Sequence, residues 1–147
     1  MKSGKTLVNL IFLGMSVILL LIPLSACGSS NSFPYQGSIN GNWSGQLTII
    51  NRSIPIGGIM SISIDNKGVV TGTLSSTSGG ANPATITGQV NSDGNLTGTV
   101  SFTINATTFI SNWQGTITSS GKSLNMQGTW TSQHGSGSFS GNGTTSK

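Results

Sequence analysis

The chain is poor in almost every group that performs covalent chemistry. Its 147 residues include one cysteine, one histidine and two carboxylates. A single cysteine excludes an internal disulfide. The histidine, His134, sits in "SQHGSGS", a turn-like stretch with no acid beside it, so no serine or threonine is given a positioned base. The carboxylates, Asp65 and Asp93, both fall in turn-like stretches, where aspartate ordinarily bonds its own backbone. Glycosidic acids would have to be these two, and nothing brings them together. Zinc needs several His, Cys or carboxylate ligands, and calcium needs more than one carboxylate per loop. The sequence therefore offers no catalytic residue, no metal site and no cofactor.

Charge is equally scarce. Charged residues are 5% of the chain, and the formal charge is +4. Beyond Cys27 only Arg52, Asp65, Lys67, Asp93, Lys122 and Lys147 carry charge. Nucleic acid calls for clustered Lys and Arg, and these are scattered. Low charge can accompany disorder, but disorder also needs few apolar residues. Here the apolar residues alternate in orderly runs.

The two ends of the chain differ. Lys2 and Lys5 give a basic start, "LVNLIFLGMSVILLLIPL" runs apolar from Leu7 to Leu24, and Ser25 and Ala26 are small. This is the layout of a secretory signal. A run of about 18 apolar residues is also near the lower limit for a spanning helix, though Asn9, Gly14, Ser16 and Pro23 interrupt it. Leu24-Ser25-Ala26-Cys27 resembles the lipobox of bacterial lipoproteins. The resemblance implies that the Cys27 thiol takes a diacylglyceryl group and that the signal is cut between Ala26 and Cys27. The new amine is then acylated as well. Two or more chains make a stable anchor where one holds only marginally. The expected partner is thus a membrane, through the lipid on Cys27. The expected location is the cell envelope: the outer membrane in a two-membraned cell, since Gly28 is not the aspartate of inner-membrane retention, or the outer leaflet where there is one membrane. "GSSNSFPYQGS", from Gly28 to Ser38, reads as a flexible tether. The expected domains are 1–26 signal peptide, 27–38 lipidated cysteine and tether, 39–142 folded domain and 143–147 tail.

The rest of the chain repeats one phrase: apolar, polar, Gly, polar, apolar, polar. It occurs as "WSGQLT" from Trp43, "VTGTLS" from Val70, "ITGQVN" from Ile86, "LTGTVS" from Leu96, "WQGTIT" from Trp113 and "MQGTWT" from Met126. The uneven spacing of the copies argues against a solenoid and for a meander. In an extended strand, i, i+2 and i+4 share a face. Each phrase therefore has an apolar face with glycine at its centre and a polar face of Thr, Ser and Gln. Glycine weakens a strand and needs a reason. It lets a sheet bend and close, and it makes room for a tryptophan opposite. "DNKG", "NSDGN" and "SSGK" read as hairpin turns. The expected strands are 39–50, 56–65, 68–76, 84–91, 94–104, 108–118, 122–131 and 136–142.

The expected fold is all-β: an eight-stranded antiparallel up-and-down meander barrel following a cleaved N-terminal signal helix. A β-sandwich is the alternative, because alternation alone does not separate the two. A membrane-spanning barrel with its apolar face outward is a third reading. "GNWSGQLTI" resembles the first strand of lipocalins and avidins, and "DNKGVVTGTLSS" and "SDGNLTGTVSF" are similar to avidin hairpins. The resemblance implies a barrel in which Trp43 helps to close one end. No biotin-binding residue carries over, because Ser44-Gly45-Gln46-Leu47 departs from the avidin pattern.

Two functions remain, neither enzymatic. A barrel lined by Trp43, Phe102, Trp113, Trp130 and Phe139 would hold a small apolar or aromatic ligand. Alternatively these residues fill the core, and the polar outer face meets envelope proteins or glycans.

Overall fold

The computed structural model describes residues 33–49, 52–77, 83–104 and 107–146, without the side chains of 49, 102–104, 107 and 109. The signal peptide, the Ala26–Cys27 junction, residues 27–32 and Lys147 lie outside them.

Eight strands run in chain order: β1 Gly37–Ile49, β2 Arg52–Ile64, β3 Val69–Ser76, β4 Ala84–Val90, β5 Asn95–Ile104, β6 Thr107–Ser120, β7 Ser123–Ser132 and β8 Gly135–Thr145. Each pairs antiparallel with its chain neighbour, and β8 pairs with β1, so the sheet is a closed up-and-down barrel and not a sandwich. The closing ladder extends from Gly37↔Thr145 to Leu47↔Gly135. Closure pairs every strand on both sides, so that unpaired edge is confined to strand ends such as the start of β2.

Every strand differs from expectation by at least one residue, and three of the changed boundaries matter: the start of β2 and the two ends of the folded part. β2 begins at Arg52 and runs through Pro55. Proline is tolerated there because β3 pairs with β2 only from Gly58 onward, leaving one side of β2 without a ladder at Pro55. The folded part also exceeds 39–142. Residues 37 and 38, assigned to the tether, and 143–145, assigned to the tail, are strand. Phe33 and Tyr35, also assigned to the tether, pack against the core.

Register fixes the width of the barrel. Starting at Gly37 and stepping through directly paired residues, the circuit passes Ile64, Val70, Gly88, Gly98, Trp113, Trp130 and Gly137, and returns to β1 at Gly45. The chain has advanced by eight residues, so eight strands are closed with a shear of eight. That combination sets a strand tilt of about 36°, as in the (β/α)8 barrels, whose interior is a packed core. The backbone radius is then about 7–8 Å. Only inward side chains fit in such a space, and they come from every second residue.

Those residues are the apolar rows. Ile39, Ile62, Ile64, Val70, Ile86, Val90, Leu96, Val100, Ile117, Leu124 and Met126 are buried. The outer rows are mainly Ser, Thr, Asn and Gln, and they are exposed. The membrane-spanning reading, which needs the apolar rows outside, therefore fails for the described strands.

One end of the barrel carries the β2–β3, β4–β5 and β6–β7 turns. The first two are built alike. Asp65 Oδ1 accepts from the backbone N–H of Lys67 and of Val69, both at 2.8 Å. Asn91 Oδ1 accepts from Asp93 at 3.0 Å and from Asn95 at 2.9 Å. Asp65 thus bonds its own turn as expected, whereas in the second turn Asn91 has that role instead of Asp93. Gly68 and Gly94 complete the turns with φ of 80° and 82°, a region open to glycine at no steric cost. Each turn also leans on the strand beyond it: Gly68 O accepts from Val90 N and Gly94 O from Ile117 N, both at 2.8 Å, and Lys122 O accepts from Thr145 N at 2.9 Å. Phe33 and Tyr35 meet edge to face at 5.6 Å. They lie against Gly68 and Gly94 respectively, and so cover this end.

Candidate functional site

The inner site expected from the sequence is an aromatic cluster. Trp43 stands on β1, Trp113 on β6, Trp130 on β7 and Phe139 on β8, all facing inward. The side chain of Phe102, on β5, is outside the described residues. The barrel brings the other four together. Trp43 and Trp130 meet edge to face at 6.4 Å. Trp113 and Phe139 meet at 4.9 Å with their planes inclined by 56°. Trp113, Trp130 and Phe139 are buried, and Trp43 is half-buried.

Each of these rings lies on a glycine of the neighbouring strand. The cross-strand partners are Trp43↔Gly58, Trp113↔Gly98, Trp130↔Gly137 and Phe139↔Gly128. A β-carbon on Gly98 would overlap Trp113 Nε1, and one on Gly128 would overlap Phe139 Cζ. A β-carbon on Gly137 would lie 2.5 Å from Trp130 Nε1, and one on Gly58 would lie 2.9 Å from Trp43 Nε1. The same glycines approach backbone across the ladder, so they give both the bend and the room. Gly45↔Gly137, Gly41↔Gly141, Gly88↔Gly98 and Gly115↔Gly128 are glycine facing glycine. The waist of the barrel is consequently packed with rings over bare backbone.

The polar atoms of the rings are treated unequally. Trp130 Nε1 donates to Ser44 O at 3.1 Å, and Trp43 Nε1 donates to Ser75 O at 3.3 Å. Among the described residues, the buried Trp113 Nε1 and Thr145 Oγ1 have no hydrogen-bond partner.

Toward the end that carries His134, the inner face is less covered. Leu47, Ile56 and Leu74 are half-buried. Ile54, also on an inward position, is 42% exposed. The titratable groups do not converge. His134 lies in the β7–β8 turn at this end, whereas Asp65 and Asp93 lie in turns at the other. Among the described residues no three His, Cys, Asp or Glu side chains come together as metal ligands.

The outside of the barrel has a feature that the sequence reading missed. A depression of about 830 Å³ crosses β5, β6, β7, β8 and β1. One wall is the outward row Thr97–Gln114–Thr129–Ser138–Ser44, and the other is Asn95–Thr116–Gln127–Ser140–Asn42. Its floor is the backbone of the row between them, Leu96–Gly115–Gly128–Phe139–Trp43, whose side chains point inside. The sequence trace of this feature is the pair of polar residues flanking each central glycine, as in "WQGTI" and "MQGTW".

No protein-family model matches this chain, and no curated protein matches it.

Proposed function

We propose that the chain is a lipid-anchored, non-enzymatic envelope protein that works through the polar outer face of a filled barrel. The observation that carries this reading is the aromatic layer at the waist. With a shear of eight, the inside is about as wide as its own side chains. Trp113, Trp130 and Phe139 occupy it over glycines, with 4%, 8% and 5% of their surfaces exposed. A binding function then falls to the outside. There the exposed residues are hydroxyls and amides, suited to hydrogen-bonding partners such as envelope proteins or glycans. No reaction is assigned, because His134 is separated from both aspartates by the length of the barrel. The anchor rests on Lys2, Lys5, the apolar run and Leu24-Ser25-Ala26-Cys27.

Two measurements test this. Cys27→Ser should abolish incorporation of labelled fatty acid and move the chain from the membrane to the soluble fraction. A chain that stays bound to membranes unlabelled would remove the anchor. Photocrosslinkers placed at outward positions should capture one repeatable envelope component, and recovery of bulk protein alone counts against the working surface.

A second reading is supported by the half-covered inner residues near His134. Trp43, Leu47, Ile54, Ile56 and Leu74 form an apolar rim there, able to seat a small apolar or aromatic ligand above the packed waist. Under that reading added fatty acid shifts tryptophan emission, and Trp43→Phe removes the shift. No response to a broad set of apolar compounds would exclude it.

A further inference from the structure

We infer that the depression across β5–β6–β7–β8–β1 binds a strand of uncharged polysaccharide; this rests on the reading that the outer face is the working surface. The shape is the first reason. Five neighbouring strands at about 4.8 Å spacing give a trough about 19 Å long, and rows two residues apart stand about 7 Å apart. The volume of about 830 Å³ lies within the range of ligand sites, about 300–1,000 Å³. Because it lies on a wall of about 7–8 Å radius, the trough bends through more than about a quarter-turn, and a chain laid across the strands follows that curve. Its floor is backbone without outward side chains, so flat rings can approach closely.

The chemistry of the walls is the second reason. All ten wall residues are Ser, Thr, Asn or Gln, and all are exposed. Hydroxyls and amides both donate and accept, as do the hydroxyls along each edge of a sugar chain. None of the ten side chains is hydrogen-bonded to another described group. A few such residues elsewhere on the surface are engaged, and others, Thr73 and Thr85 among them, are not. Thr87 meets Thr99, Ser53 donates to Gln46, and Gln89 donates to Lys67 O. Within the trough they present two parallel rows of donors and acceptors that face solvent, where ligand hydroxyls can replace water.

What is missing from the walls decides the class of ligand. Among the described residues, no Lys, Arg, Asp or Glu lines the trough. A nucleic acid or an acidic polysaccharide would find no cation for its charges. Protein interfaces are anchored by buried aromatic, Met or Arg side chains, and the outward walls offer none. The exposed large hydrophobics, Ile54, Ile59, Val69 and Ile110, lie outside the lining.

Calorimetric titration of the full chain tests the inference, in a detergent without a sugar headgroup. The probes are hexasaccharides of neutral glucan, xylan, mannan and chitin. At least one should bind. Gln114→Ala/Gln127→Ala, which removes the longest side chain from each wall, should weaken it at least tenfold. Thr73→Ala/Thr85→Ala, on exposed positions of β3 and β4, should leave it within twofold. Both double variants should keep the wild-type circular dichroism, since they alter only exposed side chains. Binding of none of the four, binding that survives Gln114→Ala/Gln127→Ala, or equal loss in both variants would overturn the inference. Capture of an envelope protein from the trough with no sugar binding would overturn it too, and would leave the outer-face reading standing.

Discussion

One added methyl group at Gly45 separates a filled barrel from a loose one. Gly45 lies on β1, faces inward and pairs with Gly137 across the closing ladder. A β-carbon there would overlap Trp130 Cζ2 and Ser136 O, and would stand 2.8 Å from Gly137 Cα. The structure must respond in two ways. Trp130 must move, which breaks its bond to Ser44 O and costs about 1–3 kcal/mol if the indole N–H stays buried. β1 and β8 must also spread at the seam, because the added carbon meets the Ser136 carbonyl as well as the ring, an overpacking cost of about 1–3 kcal/mol. Together these give about 2–6 kcal/mol for Gly45→Ala. For a barrel of roughly 110 residues that lowers Tm by about 8–24 °C. The control is Gly121→Ala. Gly121 has a φ of 61° but nothing within 4 Å of an added β-carbon. Only the left-handed backbone then costs energy, about 1–2 kcal/mol. Urea unfolding and thermal melts of the full chain measure both. If Gly45→Ala costs no more than Gly121→Ala, the interior is not filled as described and the reasoning fails.

Other substitutions probe single contacts. Trp113→Phe and Trp130→Phe remove similar volumes, but among the described residues Trp113 Nε1 has no partner whereas Trp130 Nε1 donates to Ser44 O. Trp113→Phe should therefore be the milder by at least about 1 kcal/mol in urea unfolding, and the reverse order would contradict the hydrogen-bond assignment. Asp65→Ala and Asn91→Ala each remove an oxygen that accepts two backbone N–H groups, so each should cost about 1–2 kcal/mol. Asp65→Asn should be within about 0.5 kcal/mol of wild type, because Asn91 has the same role in the sister turn. Phe33→Ser should lower Tm by several degrees, since Phe33 packs against the core. An unchanged melt would show that this end needs no cover.

Much of the fold was legible because period two is a local property. Trp43, Gly45 and Leu47 share a face whatever they pack against, so strand number, order and inward residues followed from the phrase alone. The glycines were legible for the same reason: a gap in each apolar row had to be a bend or a space, and beside Trp113 and Trp130 it is both. The shear was not legible. It is set by how eight strands slide past one another, and "VTGTLS" and "LTGTVS" read alike when moved by two residues. Phe33 and Tyr35 were hidden by their company, because Ser, Gly and Pro around them imitate a linker. The choice between inner and outer site depended on that shear. The same aromatic residues would line a hollow in a wider barrel and fill a narrow one. The outer trough was visible only as polar positions that any soluble strand has. Pairing across five strands is what aligns Gln114 with Thr129 and Gln127 with Thr116 into walls.

The most direct test of the account is the proton contact pattern of the aromatic rings in solution, read by nuclear Overhauser spectroscopy on the labelled chain. A closed and filled barrel predicts cross-peaks between the Trp113 and Phe139 rings and between the Trp43 and Trp130 rings, together with backbone contacts between Gly45 and Gly137 across the seam. Rings without mutual contacts, or a seam with no β1–β8 peaks, would contradict it.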